Sequence, residues 1–123
     1  MEKQKNVYGD TLKECGFDPI TGYFRDGSCN TEDNDYGSHT VCVQVTDDFL
    51  QYSKGKGNDL TTPVPEFGFP GLKAGDRWCV CAQRWQEAHD DGFAPKVILL
   101  ATNENVLNII PLETLKQYAI DLS

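Results

Sequence analysis

Residues 55–75, GKGNDLTTPVPEFGFPGLKAG, hold three of the six prolines and five of the eleven glycines of the chain. Proline removes a backbone donor and fixes φ, whereas glycine frees the backbone, so we expect no regular helix or strand in this segment. A structureless segment of this length is usually functional or packed closely over the core. Phe67, Phe69 and Leu72 favour packing over the core.

The residues before this segment predict a strand followed by a helix. The three valines of HTVCVQVT alternate, which is typical of a strand with one buried face and places Cys42 and Gln44 on the other face. Thr46 or Asp47 is a suitable N-cap for a short helix that ends at GKGND.

The stretch GDRWCVCAQRW, residues 75–85, admits two structures. Its apolar residues and those just after it recur on one helical face: Trp78, Cys81, Ala82, Trp85, Ala88 and His89. With Asp76 as N-cap, this spacing predicts a helix from about Arg77 to Asp91, ended by Gly92. The competing interpretation makes RWCVC a strand that runs into a shorter helix.

The remaining segments predict an α+β fold. KVILLAT, residues 96–102, is typical of a buried central strand, and NENVLNII and PLETLKQYAI predict two short helices. The first forty residues are rich in turn formers and predict loops with one or two short strands. We expect a small two-layer single domain over residues 1–123, with helices on one face of a short sheet, about 6–121 structured and 1–5 a flexible tail.

The net charge of the chain, −8 at pH 7, opposes binding to nucleic acid or to an anionic membrane. The longest apolar run, residues 97–101, is far shorter than the roughly 20 residues of a membrane span. MEKQKNVYGD lacks the apolar region of a secretory signal, so we expect a cytoplasmic protein. The sequence does not identify a partner; a small molecule or a protein bound near the 55–75 loop is the candidate ligand.

The five cysteines are an odd number in a chain without an export signal, so we expect reduced thiols and no disulfide framework. Such thiols are buried small residues, metal ligands or reactive groups. The cysteines are Cys15, Cys29, Cys42, Cys79 and Cys81.

Four stretches, TGYFRDGSCNT, GSHTVCVQVTDDFL, GNDLTTPVPEFGFPGLKAGDRWCVCAQRW and VILLATNENVLNIIPLETL, carry a resemblance over nearly the whole chain. The sequence resembles a family of small bacterial and plant proteins, domain of unknown function number twenty-two thirty-seven. The resemblance implies a two-layer α+β domain and supplies no activity. Family members often have two adjacent cysteines where this chain has Ser28 and Cys29, so a site that needs both thiols is not expected here.

Cys79 is the first candidate for chemistry. In the first turn of a helix it would lie off the apolar face, where the helix dipole and Arg77 favour a thiolate, and His39 is a candidate base. The alternative, which we favour, is a partly buried structural cysteine.

Zinc is a second, less favoured possibility, since we expect no cofactor. The ligands would be His39, Cys42, Cys79 and Cys81, which is the number that a structural site requires. On one helix Cys79 and Cys81 would diverge by about 200°, and only a strand aims both thiols to one side.

The other candidates surround the long loop. Asp59 and Glu66 are possible acids or bases if the loop covers a cleft, and Asp76, Arg77 and Trp78 are candidate binding residues. EDNDYG, residues 32–37, lacks the oxygen ligands of an EF-hand and indicates a solvated acidic turn. We expect a non-catalytic binding or interaction module with structural cysteines, with a small thiol-dependent enzyme as the alternative.

Overall fold

The computed structural model describes residues 4–121. Its strands and helices are, in chain order, β1 (Val41–Gln44), α1 (Asp47–Gly55), β2 (Arg77–Val80), α2 (Ala82–Asp90), β3 (Lys96–Val97) and α3 (Leu112–Lys116). Short 3₁₀ turns occupy Pro65–Phe67, Leu99–Ala101 and Glu104–Asn108. The predicted α+β single domain is confirmed. No helix in the described part of the chain is long and apolar enough to cross a membrane.

The three strands form an antiparallel sheet in the order β2-β1-β3. β1 lies at the centre, with Cys42 opposite Cys79 and Val43 opposite Trp78 on one side and Val97 on the other. The alternation predicted for β1 is confirmed, because its valines and Cys42 belong to two different buried clusters. The expectation of a single buried face is wrong, since Cys42 is as fully buried as the valines.

The larger cluster joins the valines of β1 to apolar residues of all three helices, among them Phe49, Trp85 and Leu115. The smaller cluster contains four cysteines together with Ile98 and Ala101. The predicted cap of α1 is also confirmed, since the Thr46 hydroxyl oxygen accepts a hydrogen bond from the Phe49 backbone N–H at 3.1 Å.

The predicted helix from Arg77 to Asp91 is wrong, and the competing interpretation is correct. Residues Arg77–Val80 pair with β1 as a strand, and the helix begins only at Ala82. Asp76 is therefore not the N-cap of α2; its carboxylate instead accepts a hydrogen bond from the Lys73 backbone N–H. Ladder hydrogen bonds to β1 outweigh the local helical periodicity.

The predicted central strand over residues 96–102 is shorter than expected and lies at an edge of the three-stranded sheet, because β1 takes the central position. It pairs only at Lys96–Val97 and then turns into 3₁₀ structure, where the Asp121 carboxylate accepts hydrogen bonds from the Leu99 and Leu100 N–H groups at 2.9 Å. Of the predicted 1–5 tail, residues 1–3 lie outside the described residues. The Gln4 side chain exchanges two hydrogen bonds with the Thr31 backbone.

The expectation of reduced cysteines is wrong for four of the five. Cys15 is bonded to Cys42 and Cys29 to Cys79, and Cys81 is the free cysteine of the described residues. Both bonds tie the N-terminal loops to neighbouring positions of β1 and β2. They supply cross-links where residues 4–40 have no helix or named strand of their own.

Replacing Cys29 and Cys79 together by alanine should lower the free energy of unfolding by about 4 kcal/mol. The bond closes a loop of 50 residues, and its loss frees that loop in the unfolded chain. Urea denaturation of the variant and the natural chain measures the difference. Cys81→Ser is the matched control, because it removes a sulphur but leaves both disulfides. Equal stability of the double variant and this control would contradict the cross-linking role.

Tyr52 connects α1 to the end of α2. Its hydroxyl donates to the Asp91 carboxylate and approaches the Glu87 carbonyl oxygen at 3.3 Å, and its ring stacks on Phe93. Loss of water around the phenol, followed by the hydrogen bond to Asp91 and the nearby negative charges, raises the pKa of Tyr52 from 10.0 to about 12. The folded protein therefore holds this proton more tightly than the unfolded chain.

We expect one of the five tyrosines to ionise with a midpoint near pH 12 in an ultraviolet titration of the folded protein. Because this pKa is raised on folding, the Tyr52 contact stabilises the fold below about pH 10 and loses that effect as pH rises toward 12. Tyr52→Phe should abolish the late transition, whereas Tyr36→Phe, at an exposed position, should keep it. Persistence of the transition in Tyr52→Phe would refute the assignment.

Candidate functional site

The long loop and β2 enclose a cleft of about 530 Å³. It is lined by Tyr23, Arg25, His39, Asp59, Leu60, Val64, Phe67, Phe69, Trp78 and Cys79. The lining residues come from the N-terminal loops, the 55–75 segment and the sheet. The cleft therefore exists only when these three parts of the chain are folded together.

Two hydrogen-bonded contacts within the 55–75 segment hold its shape. Val64 bridges to Phe69, and the Leu72 N–H donates to the Leu60 carbonyl oxygen at 2.8 Å. The prediction that the segment packs over the core is confirmed for Leu72, which is buried, and for Phe69, which packs against the core. It is wrong for Phe67, whose side chain is 79% exposed at the rim of the cleft.

Asp59 fixes the start of the loop. Its carboxylate accepts hydrogen bonds from the hydroxyl and backbone N–H groups of both Thr61 and Thr62. The Thr62 hydroxyl, and then the groups of Thr61, hold the pKa of Asp59 well below its usual range. Asp59 is therefore a charged anchor of the loop with its carboxylate oxygens already occupied.

Aromatic rings and one cation form the wall of the cleft. Phe69 and Trp78 lie with ring centroids 5.1 Å apart, and the Arg25 guanidinium carbon is 4.9 Å above the Trp78 ring. Arg25 also donates to the Gly22 carbonyl oxygen. Among the described residues Arg25 forms no salt bridge, so its guanidinium remains available to an anion.

A smaller cavity of about 210 Å³ adjoins this cleft, and four residues line both: His39, Leu60, Trp78 and Cys79. Gly37, Cys81 and Arg84 also line the smaller cavity. His39 thus lies between an aromatic cleft and a small polar cavity.

Asp35 and His39 form a hydrogen-bonded pair at this junction. The Asp35 Oδ1 atom lies 2.6 Å from His39 Nδ1, and its Oδ2 atom accepts from the Thr31 hydroxyl and the His39 backbone N–H, each at 2.9 Å. The Asp35 side chain is fully buried, whereas the His39 side chain is 41% exposed. The acidic turn predicted at 32–37 is therefore solvated at Glu32 and Asp33 but not at Asp35.

The structure places the predicted site residues in different surroundings. His39, Asp59, Trp78 and Cys79 line the cleft, whereas Asp76, Arg77 and Glu66 line neither cavity. Asp76 closes a turn with Lys73. Cys79 and His39 line the same two cavities, but the Cys79 sulphur is bonded to Cys29, so thiol chemistry at Cys79 requires reduction of that bond.

The four proposed zinc ligands do not form one cluster. Cys42 and Cys79 belong to different disulfides, and His39 and Cys81 lie around the smaller cavity. In the described chain, a group of three potential ligand atoms within 4.8 Å of one another is formed instead by the sulphurs of Cys15, Cys29 and Cys79. These sulphurs could hold an ion only after reduction, since each is engaged in a disulfide.

Sequence reasoning missed Tyr23, Arg25 and Asp35 as site residues. Asp35 precedes His39 by four positions, but that spacing has meaning only on a helix, and these residues lie in a loop. Arg25 adopts a positive φ of 55° in the turn YFRDG, which aims it back over the sheet. No local pattern indicates that a turn residue stacks on a tryptophan some fifty positions away.

Fold and site together define a small α+β domain, cross-linked by two disulfides, with an aromatic cleft beneath a proline- and glycine-rich loop. No curated protein matches the chain. The model of the family described as an uncharacterised protein conserved in bacteria, DUF2237, matches residues 5–119. The chain therefore belongs to the DUF2237 family, and the resemblance stated from the sequence is confirmed.

Gly71 should be required for the shape of the loop. A Cβ atom at this position would lie 2.3 Å from the Thr61 carbonyl oxygen, whereas one at Gly75 meets nothing within 4 Å. Both glycines have positive φ, 84° and 96°, so both alanine variants carry the same backbone penalty of about 1 to 2 kcal/mol. We expect Gly71→Ala to lose about 1 to 3 kcal/mol more than Gly75→Ala in urea denaturation. Equal losses would show that the loop does not need this close contact.

Proposed function

We propose that the protein is a binding module for a small aromatic carboxylic acid, held in the cleft beneath the 55–75 loop. The observation that carries the proposal is Arg25, a cation without a salt-bridge partner in the described chain that stacks on Trp78 at the cleft wall. An arginine in this position can pair with a carboxylate through two N–H donors.

The lining of the cleft supports an aromatic ligand. Tyr23, Phe67, Phe69 and Trp78 offer ring faces and edges, and Leu60 and Val64 add aliphatic surface. A volume of about 530 Å³ lies within the range of small-molecule sites, which are mostly apolar with few polar groups. The Asp59 carboxylate oxygens already accept hydrogen bonds from Thr61 and Thr62, whereas the Arg25 guanidinium can still donate to a ligand.

In this proposal the disulfide-bonded cysteines are structural. The sulphur-bearing residues of both bonds are at most 2% exposed, so ligand and bulk thiols have little access to them. Disulfides are more typical of oxidising compartments than of the cytosol. The cytoplasmic location predicted from the sequence stays a prediction, as does the absence of nucleic-acid and membrane partners, which the net charge of −8 supports.

A titration with indole-3-acetate, followed by ¹H–¹⁵N NMR of the two tryptophan indole groups, tests the proposal. Trp78 lines the cleft, whereas the Trp85 indole N–H is fully buried and donates to the Pro95 carbonyl oxygen. Binding in the cleft should shift the Trp78 signal and leave the Trp85 signal in place. Trp78→Phe assigns the two signals.

Two comparisons test the role of Arg25. Arg25→Gln should weaken binding of indole-3-acetate about tenfold, because a charge-assisted hydrogen bond is lost, and Lys96→Gln, outside the cleft, should not. The neutral indole-3-acetamide should bind both forms alike. No shift of Trp78 at millimolar ligand would refute the small-molecule proposal, and capture of a peptide at the same residues would replace it with a protein-binding function.

A further inference from the structure

The smaller cavity is lined by a free thiol, that of Cys81, and by the imidazole of His39, which a buried carboxylate outside the lining, that of Asp35, holds in place. The proposed ligand binding uses none of these three groups. The Asp35 carboxylate holds His39 Nδ1 at 2.6 Å and is itself fixed by the Thr31 hydroxyl. Since a carboxylate accepts at Nδ1, neutral His39 carries its proton there and leaves Nε2 as the basic atom. The histidine is therefore oriented by a group that is shielded from water.

The loop that carries His39 is attached to the start of α2. The Ala82 backbone N–H donates to the Ser38 carbonyl oxygen at 2.9 Å, which places Cys81 beside residues 37–39. A Cβ atom added to Gly37 would lie 2.9 Å from His39 Cε1 and 3.5 Å from Cys81 Sγ. The imidazole and the thiol thus border the same small space, which is open because residue 37 is glycine.

Cys81 also occupies a favourable position on its helix. It is the N-cap of the nine-residue helix α2, and its side chain forms no capping hydrogen bond. Backbone N–H groups of the first turn lack intrahelical acceptors, and the helix dipole favours negative charge there. Arg84, one turn further along, adds a positive side chain to the cavity lining.

We propose that Cys81 is a catalytic nucleophile with His39 as its base, and that the cavity transfers the acyl group of a small ester to water. Asp35 is the positioning residue. Cys81 and His39 line the same cavity and Asp35 orients His39, so the three side chains can fill the roles of nucleophile, base and orienting group.

The reaction balances with water as the only co-reactant. Cys81 Sγ bonds to the acyl carbon while its proton passes to His39 Nε2, and the bond from that carbon to the leaving oxygen breaks as the leaving alcohol takes the proton. Water then gives a proton to His39 and attacks the same carbon. The carbon–sulphur bond breaks, a carboxylic acid leaves, and the proton returns to Cys81.

The two cavities fit the two parts of such a substrate. A volume of about 210 Å³ accommodates a small acyl group, and the contiguous aromatic cleft can accept an aromatic leaving group. Only this placement of the leaving group rests on the proposed binding function. The acylation of Cys81 requires no ligand in the aromatic cleft.

p-Nitrophenyl acetate is the probe, with release of p-nitrophenolate and the mass of the Cys81 peptide as readouts. The natural chain should form an acetylated Cys81 and continue to turn over, and Cys81→Ser should do neither. His39→Gln should slow acetylation about 100-fold at pH 7, the effect of losing a general base. Asp35→Asn should alter the pH profile of acetylation, which loss of a purely structural contact would not change.

His89→Gln is the matched control, since His89 is the second of the two histidines and lines neither cavity. Both tryptophan indole signals verify that each variant is folded. Equal acetylation rates for the natural chain and folded His39→Gln would overturn the proposal, as would release of a single equivalent without turnover. Indole-3-acetate binding is measured separately, so a negative result in one experiment does not decide the other.

Discussion

The antiparallel pairing of β1 with β2 is the constraint on which the rest of the structure depends. It sets Cys42 directly opposite Cys79, so that two disulfides can attach the N-terminal loops to adjacent positions of one sheet. The same pairing carries Trp78 to the cleft wall and ends β2 at Val80, just before Cys81, the N-cap of α2. The short strand β2 therefore contributes residues to the lining of both cavities.

Local patterns predicted those elements whose stability is local. The alternating valines of β1 and the Thr46 cap of α1 could be read directly from the sequence, because each depends on residues within a few positions. The helix predicted from Arg77 failed because Trp78 happens to be in phase with the buried face of α2, which begins at Ala82. Its strand conformation depends on hydrogen bonds to β1, more than thirty residues earlier, and no local window contains them.

The site was predictable to a similar extent. His39 and Asp59 were candidates because their side chains can act as acids or bases, and Trp78 was a candidate binding residue. The 55–75 loop was expected to be functional or to pack over the core. Cys79 was proposed as the reactive thiol, but it is disulfide-bonded, and the free cysteine is Cys81. The fold, and not the spacing of the cysteines along the chain, determines which of them pair. Asp35 and Arg25 make their contacts with His39 and Trp78 across turns, which leave no periodic signal in the sequence.

The packing of the sulphur atoms has a consequence for how the domain responds to reductants. The Cys15 sulphur lies within 4.8 Å of both sulphurs of the Cys29–Cys79 bond. Thiol exchange proceeds by direct attack of a thiolate on a neighbouring disulfide sulphur. A thiolate released by opening either cross-link would therefore lie next to a sulphur of the other bond, within the distance over which a neighbouring disulfide can be attacked.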